Sequence, residues 1–352
     1  MPDHYADIRD RLIERLRRSG GGASYRQLLD WGAERWTIPR LCAEGVLVRI
    51  ERGHYVLPWA GATDNRWSQR RSEHLRSVAA RTASESVAGL RSGALAWGLP
   101  VSSIPARAEL LRPPGSGYLR SARTIRRLVD PDHITDINGV AVTSLARTAV
   151  DVALDLPTPL ALITVDAVLR RGTSKKELLS ILDSLGSTRG CRRARQTIEW
   201  AEPHAESALE SGGRGELLIR GTPRPWCNVS FRLDDTEFRV DNWWPGIPLI
   251  GEADGALKYS NDVGAQSLWQ EKLRQEWFED ELGLAVFRYI DTEVRLTPDA
   301  LFARWERKAA RASTPLWRPP ERLEVFQRPV PGSDAPWTWL RRPHDLGTAN
   351  SA

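Results

Sequence analysis

The chain has 352 residues, enough for two or three domains, and its 41% hydrophobic and 27% charged residues are typical of a folded globular protein. No apolar run reaches the ~18 residues that a membrane span needs, and the charged N-terminus lacks the apolar core of a signal peptide. The three cysteines are far apart and show no C-x-x-C spacing, which argues against a disulfide framework or a cysteine zinc site. We therefore expect a cytoplasmic protein without a membrane anchor.

The net charge of +5 is unevenly distributed along the chain. Between Arg66 and Asp130, twelve arginines against four acidic residues give a local charge of +8, whereas acidic residues outnumber basic ones between Glu199 and Glu306. This asymmetry favours one part that faces nucleic acid and a separate acidic part. A general bias of composition toward arginine, which supplies 45 of the 50 basic residues, is an equal alternative.

Residues 1–60 predict three helices followed by a β-hairpin. Apolar residues recur with helical spacing up to a break at Gly20. Ser24 is a suitable N-cap for a second helix, and a third helix is expected from about Ala33 to Ala43, with Trp36, Ile38 and Leu41 facing inward. Two short runs of alternating apolar residues, separated by a turn at Gly53, then predict the hairpin.

Helix, turn, helix and β-wing is the layout that places a recognition helix in the major groove of DNA. The segment from Leu28 to Leu57, with its run GVLVRIERGHYVLP, resembles the winged helix of AbiEi-family type IV antitoxins. The resemblance implies double-stranded DNA as a partner. Arginine reads guanine or holds phosphate, so the candidate contacts on the third helix and the wing are Arg35, Thr37, Arg40, Arg49 and Arg52. The alternatives are solvated surface arginines and a winged helix that docks a protein.

The middle segment, residues 66–200, predicts an α+β domain. The stretches Ser84–Pro100, predicted as a small-residue helix, and Gly139–Asp151 resemble the C-terminal half of AbiEi-type antitoxins. In that family this half is linked to toxin control and to assisting DNA binding, which implies a cognate toxin or the protein's own operator as partner. Thr143 or Ser144 is the expected cap of the next helix, on which Arg147 and Asp151 are four residues apart and should pair on one face. A basic strip, either solvated or in contact with phosphate, consists of Arg120, Arg123, Arg126 and Arg127.

Residues 201–311 predict a helix, three strands, a helix, a strand and a last helix. Asp241 and Glu252 are expected at the ends of two neighbouring strands, Glu210 on the preceding helix, and Lys258 shortly after the third strand. This set fits metal-assisted phosphodiester cleavage, because Mg²⁺ prefers oxygen ligands and activates water, while lysine stabilises charge on phosphate. Acidic residues at strand ends are also common in proteins without catalysis.

The runs AESALES, RVD, GEADGALKY, EKLRQE and LGLAVFRY together resemble the very-short-patch-repair branch of the PD-(D/E)XK nucleases. The resemblance implies a C-terminal αβββαβ restriction-endonuclease-like domain. In it, Asp241 and Glu252 would bind Mg²⁺ with help from Glu210. Asp254 would stand where the superfamily has its lysine, and Lys258 would supply the displaced positive charge.

Two departures from that family leave catalysis open. Gly212, Gly213 and Gly215 interrupt the first helix where a continuous apolar helix is expected, and the signature lysine is absent. A fold retained without cleavage is therefore the alternative to an active Mg²⁺-dependent enzyme.

Residues 312–352 contain seven prolines and few periodic apolar positions, which predicts a mostly disordered tail. Trp317, Trp337 and Trp339 lie within it and are expected either to pack on the body or to contact a partner.

The sequence thus predicts a multidomain α+β and α/β protein with domains at 1–60, 66–200 and 201–311 and a tail at 312–352. The first hypothesis is a DNA-binding, antitoxin-like transcriptional regulator that carries a nuclease-like domain. The second is a metal-dependent DNA endonuclease targeted by its winged helix, and the third is a protein-interaction scaffold. We favour DNA binding and leave cleavage open.

Overall fold

The computed structural model of the chain describes residues 2–58, 65–82, 86–117, 119, 121–255, 265–313, 317–333 and 335–342. The chain divides into two compact units, Met1–Leu156 with Lys176–Ala194 and Pro157–Lys175 with Arg195–Ala352. Within the described ranges, helices accompany sheets of three, five and six strands, which confirms a mixed α/β multidomain protein. The chain crosses between the units three times, after Leu156, Lys175 and Ala194.

The first unit opens with three helices and three short strands, in the order α1 (Pro2–Arg18), β1 (Gly22–Ser24), α2 (Tyr25–Asp30), α3 (Thr37–Ala43), β2 (Val48–Glu51) and β3 (His54–Val56). The strands form an antiparallel sheet in the order β1-β3-β2. The predicted N-cap is confirmed, because the Ser24 hydroxyl accepts a hydrogen bond from the Gln27 N–H and the Gln27 side chain accepts one from the Ser24 N–H. The third helix is shorter than predicted.

Apolar positions at helical spacing bury one face of each of these helices. The side chains at the centre of the resulting core are Ile8, Leu12, Leu16, Leu28, Ile38, Leu41 and Leu47. The order of helices and hairpin is therefore the predicted one, held together by a small core of its own.

The five-stranded sheet of the first unit belongs to the segment that contains α4 (Arg66–Arg81), β4 (Val87–Ala88), α5 (Leu90–Ala96), β5 (Ala108–Arg112), β6 (Ala122–Arg126), β7 (Ile134–Ile137), β8 (Val140–Thr143) and α6 (Leu145–Asp155). Its strand order is β6-β5-β4-β8-β7. Ser144 caps α6 as predicted. Val87 and Ala88, expected in a helix, form a strand because they pair with β5 and β8 at the centre of the sheet.

The N-terminal elements pack directly on α4. A Cβ atom at Gly22 would lie 2.2 Å from the Arg76 carbonyl oxygen. Only glycine at this position therefore lets β1 approach the α4 backbone so closely. The Arg76 guanidinium donates a hydrogen bond to the Leu57 carbonyl oxygen, and Arg81 forms an ion pair with Glu51. These contacts join the N-terminal hairpin to the middle segment.

The remaining elements are α7 (Thr158–Arg170), α8 (Lys175–Ser184), α9 (Cys191–Trp200), α10 (Ala208–Ile219), β9 (Trp226–Leu233), β10 (Thr236–Trp244), β11 (Leu249–Asp254), α11 (Ala265–Glu276), β12 (Ala285–Ile290), α12 (Asp291–Leu296), α13 (Pro298–Ala312), β13 (Glu324–Gln327) and β14 (Thr338–Arg341). The second unit contains the six-stranded sheet β12-β11-β10-β9-β13-β14. Only the pair β11–β12 in it is parallel among the described strands. The succession from α10 to β12 follows the predicted αβββαβ order.

Two expectations for this unit are wrong. The described part of the tail is not disordered, because β13 and β14 extend the sheet and Val325 and Phe326 are fully buried in it. The glycines of α10 do not interrupt that helix. Instead they allow close packing, since a Cβ at Gly213 would lie 2.3 Å from the Tyr289 ring.

Across the ranges that the structure describes, no helix has both the length and the apolar character needed to cross a bilayer.

Candidate nucleic-acid interface and carboxylate edge

Three of the predicted DNA contacts are exposed arginines around α3 and the hairpin. Arg35 lies in the turn before α3, Arg49 lies on β2, and Arg52 lies in the turn between β2 and β3. The turn is completed by Gly53, whose φ of +81° belongs to the left-handed region that glycine adopts without strain. All three guanidinium groups are placed where a polyanion can reach them.

Arg40 is also exposed, but its orientation is fixed by neighbouring side chains. Its Nε lies 2.9 Å from Glu44 Oε1, and its guanidinium lies 3.7 Å from the centre of the Tyr5 ring. The Tyr5 hydroxyl donates to the other oxygen of Glu44 at 2.5 Å. Part of the Arg40 charge is therefore already compensated by Glu44.

Thr37 does not lie on the exposed face, so its predicted contact with DNA is wrong. Its side chain is 0% exposed, and Ile38 and Leu41 on the same helix are buried as well. The inward face of α3 therefore runs through Thr37, and the outward face runs through Pro39, Arg40 and Ala43.

Sequence reasoning did not expect two apolar side chains to be exposed beside these arginines. Trp36 is 47% exposed immediately before α3, and Val48 is 45% exposed on β2. Trp36 was expected to point inward, as helical spacing suggested. Pro39 could have corrected this expectation, because proline favours the first turn of a helix. With Pro39 in the first turn of α3, Trp36 lies just before the helix.

In the second unit, Asp241 lies within β10 rather than at its end. The ladder between β10 and β11 stops at the pair Asn242–Gly251, and one step further Asp241 Oδ2 accepts a hydrogen bond from the Ala253 N–H at 2.7 Å. Asp241 and Glu252 thus lie opposite each other on the neighbouring strands β10 and β11, as predicted.

Glu210 is buried near the start of α10 and is held by two donors. Its Oε2 accepts a hydrogen bond from Asn228 Nδ2 at 2.9 Å and another from the Glu206 N–H at 2.8 Å. Asn228 has a φ of +51°, a left-handed conformation that asparagine tolerates better than most residues. Burial raises the pKa of Tyr289 well above its ordinary value, and the carboxylates of Asp241 and Glu210 raise it further. The negative charges of Asp241 and Glu210 thus both disfavour ionisation of the Tyr289 hydroxyl.

The acidic side chains at the end of β11 are paired with arginines that sequence reasoning did not single out. Glu252 accepts a hydrogen bond from Arg274 at 2.7 Å. Asp254 lies 3.5 Å from Arg288, which is also 3.3 Å from Glu271. Burial lowers the pKa of Arg288, but these carboxylates outweigh it and raise that pKa above its ordinary value.

The described residues include no group of three or more histidine, cysteine, aspartate or glutamate side chains arranged to hold a metal ion. Glu210, Asp241 and Glu252 are thus not gathered into a three-ligand site, and guanidinium groups provide the counter-charge for Glu252 and Asp254. Lys258 lies outside the described residues. In this arrangement a Mg²⁺ ion at Glu252 would have to displace Arg274, and a metal-binding role of these residues stays a prediction.

One segment of the chain is similar to a domain of a known antitoxin family. Residues 87–200 match the family described as AbiEi antitoxin C-terminal domain, which confirms the predicted resemblance of the middle segment. The matched segment contains the five-stranded sheet and the helices α5 to α9.

Two curated proteins of Mycobacterium tuberculosis are relatives of the chain. They are "Uncharacterized protein MT2308" of strain CDC 1551 / Oshkosh and "Uncharacterized protein Rv2248" of strain ATCC 25618 / H37Rv, each 32% identical over 179 residues. The alignment covers 50% of this chain and 64% of each relative. A solved structure described as "Crystal structure of RV2827C protein from Mycobacterium tuberculosis" is 16% identical and covers 63% of this chain and 83% of that chain, with a TM-score of 0.34. That score is too low to support an argument about the fold.

Proposed function

We propose that the protein is a DNA-binding regulator of the type IV toxin–antitoxin kind, which recognises double-stranded DNA at its own operator and restrains a cognate toxin. The observation that carries this proposal is the match of residues 87–200 to the AbiEi antitoxin C-terminal domain. It is supported by the exposed arginines of the N-terminal elements, which we interpret as a winged helix with α3 as recognition helix and β2–β3 as wing.

In this proposal, Arg49 and Arg52 on the wing hold the phosphate backbone, and Arg35 approaches the groove together with α3. Phosphate contacts give affinity and register, and contacts to base edges give sequence preference. Arg40 contributes less because Glu44 already accepts one of its N–H groups.

The test is fluorescence anisotropy with duplex DNA from upstream of the protein's own gene and with a shuffled duplex, at several salt concentrations. Arg52→Ala and Arg49→Ala should weaken binding and lower the slope of log K against log salt by about 0.9 for every phosphate that the variant no longer neutralises. A matched control is Arg18→Ala on α1, whose side chain is 77% exposed and paired with Glu14. Equal affinity for both duplexes, with slopes unchanged in the wing variants, would refute operator recognition through this wing.

Toxin control is assigned to the segment that matches the antitoxin domain, separate from the wing. Growth arrest by a toxin encoded beside this gene should be relieved by the full chain and equally by Arg52→Ala. A variant that loses DNA binding and rescue together would contradict this separation.

A second candidate function for the second unit is Mg²⁺-dependent cleavage of DNA by a restriction-endonuclease-like fold. The observation that favours it is the placement of Asp241 and Glu252 at neighbouring positions of β10 and β11. If the candidate is correct, the purified protein nicks supercoiled DNA with Mg²⁺ and not with EDTA, and Asp241→Asn abolishes nicking without changing DNA affinity. Retarded but uncut DNA in every metal tested would eliminate it.

A further inference from the structure

An acidic side chain lies within the basic hairpin β2–β3, the wing that we propose for DNA contact. Glu51 stands between Arg49 and Arg52 in the sequence, and its side chain is 20% exposed. A carboxylate in this position opposes the attraction between the wing and phosphate, because charges a few ångströms apart act on each other strongly. The negative charge of Glu51 has to be compensated within the protein if the wing is to attract DNA.

The compensating charge comes from helix α4 of the middle segment. Arg81 Nε lies 2.9 Å from Glu51 Oε1, and the Arg81 side chain is only 4% exposed. A guanidinium buried to this extent is not placed to bind a phosphate of DNA itself. Any effect of Arg81 on DNA binding therefore passes through Glu51.

The Arg81 guanidinium is held in this position by neutral groups. Its Nη1 donates to the Ser77 carbonyl oxygen at 2.8 Å and to the Ser77 hydroxyl. Its Nε and Nη2 donate to the Ser121 hydroxyl at 3.0 Å and 2.8 Å. These partners fix the orientation of the guanidinium without cancelling its positive charge, so that charge acts on Glu51.

His54 on β3 lies against the same carboxylate but adds little charge. Its Nδ1 is 3.3 Å from Glu51 Oε1. Burial lowers the pKa of His54, the Glu51 charge opposes this effect, and the Arg81 charge adds to it. The imidazole is therefore mostly neutral at pH 7. Arg81 supplies the full positive charge next to Glu51.

We propose that Arg81 sets the affinity of the wing for duplex DNA by neutralising Glu51, without touching the DNA. The inference rests on the proposed function and deepens it, because it makes a buried residue outside the wing part of the electrostatics of DNA binding. Loss of Arg81 leaves one uncompensated negative charge between Arg49 and Arg52. This charge lowers the net attraction of the wing for the phosphate backbone.

Fluorescence anisotropy with the operator duplex and the shuffled duplex tests this in the full chain. Arg81→Met should weaken binding of both duplexes by about fivefold at low salt, and by less at high salt, where charges are screened. Glu51→Gln should tighten binding, because it removes the negative charge and keeps that of Arg81. The double variant Glu51→Gln/Arg81→Met should bind like the wild type.

A merely structural role of the ion pair predicts a different order of affinities. If the pair only held the hairpin in shape, each single variant would break it and both would weaken binding. Arg76→Met is the matched control, since Arg76 also ties α4 to the chain after the hairpin, through the Leu57 carbonyl oxygen, and should leave affinity close to that of the wild type. Arg81→Lys, which keeps the charge, should recover most of the affinity.

Two results would overturn the inference, namely an unchanged affinity in folded Arg81→Met and a weakened affinity in Glu51→Gln. Circular dichroism establishes that each variant is folded at the assay temperature. If Arg81→Met does not fold, Glu51→Gln alone decides, because tighter and weaker binding remain opposite outcomes. A wild type that binds neither duplex contradicts the proposed function itself, whereas a wild type that binds regardless of residues 51 and 81 contradicts only this inference.

Discussion

The buried ion pair between α7 and α10 offers the sharpest test of how the second unit is held together. Asp166 and Arg214 are 0% and 3% exposed, and Arg214 Nη2 lies 2.6 Å from Asp166 Oδ2. The other oxygen of Asp166 accepts the Glu202 N–H at 2.8 Å, and Arg214 Nη1 donates to the Trp200 carbonyl oxygen at 2.6 Å. One guanidinium thus ties α7, the end of α9 and α10 together.

Replacing Arg214 with methionine removes this tie at nearly constant side-chain length. The Asp166 carboxylate then stays buried without a counter-charge, and the Trp200 carbonyl oxygen is left without this donor. Breaking a buried pair by removing one partner costs about 3–5 kcal/mol. We expect Arg214→Met to lower the free energy of unfolding of the second unit by that amount, a large share of the ~5–15 kcal/mol that folded domains possess.

The loss should depend on pH in a definite direction. Burial raises the pKa of Asp166, and the Arg214 guanidinium opposes that rise. Without Arg214 the pKa of Asp166 in the folded protein rises further. The folded variant therefore keeps the Asp166 proton at pH values where the unfolded chain has already released it. A carboxyl with a raised pKa contributes its stability at low pH and loses it as the pH rises through the folded value. The deficit of Arg214→Met should therefore be smaller near pH 4 than near pH 7.

Urea denaturation followed by tryptophan fluorescence measures this change, because ten of the fifteen tryptophans lie from Trp200 onward. The matched control is Arg220→Met on the same helix. Arg220 pairs with Glu216 and with the 93% exposed Asp299, so its loss should cost less than about 1 kcal/mol. The double variant Asp166→Leu/Arg214→Met should recover most of the stability, since apolar replacement of a buried pair is often neutral. Equal losses in the two methionine variants, or a deficit that grows toward low pH, would refute this reasoning.

Two further predictions concern packing and pH. Gly213→Ala should destabilise the second unit by about 1–3 kcal/mol in the same denaturation, because the added methyl overlaps the Tyr289 ring, whereas Gly212→Ala, with its nearest neighbour at 3.7 Å, should be neutral or stabilising. His74 is buried, and burial together with nearby guanidinium groups lowers its pKa to about 4. The neutral form is thus favoured in the fold, and stability is lost as the pH falls from ~6.5, by about 3 kcal/mol at pH 4. Hydrogen exchange of α4 should report this loss, and His74→Gln should abolish it; an unchanged pH profile in the variant would contradict the assignment.

The order of the N-terminal helices and hairpin, and that from α10 to β12, could be predicted from the sequence because periodicity and turn residues are local properties. Ser24 and Ser144 cap their helices as expected, and the glycine turn at Gly53 closes the hairpin. The rotation of a short helix about its axis is not local. Thr37 and Arg40 were placed on one exposed face, yet the core takes Thr37 together with Ile38 and Leu41.

The tail shows a similar limit. Its prolines and sparse apolar positions predicted disorder, because an isolated segment with that composition cannot bury enough surface. The edge of a pre-formed sheet supplies the missing surface. β13 pairs with β9, and Trp317 donates its indole N–H to the Leu282 carbonyl oxygen. Whether such a segment folds depends on an edge strand that lies about a hundred residues earlier, which no local window contains.

The carboxylate edge shows most clearly what spacing leaves out. The sequence placed Asp241 and Glu252 side by side, and the structure agrees on that position. It could not supply the counter-charge, because Arg274 and Arg288 reach Glu252 and Asp254 from α11 and β12, which only the fold brings to this edge. A divalent cation at Glu252 would have to displace a guanidinium at 2.7 Å from its carboxylate. Substitution of Arg274 therefore separates the two roles of this edge. If the edge only stabilises the fold, Arg274→Ala breaks a structural ion pair and produces no nicking. If Arg274 holds a latent metal site closed, Arg274→Ala creates Mg²⁺-dependent nicking.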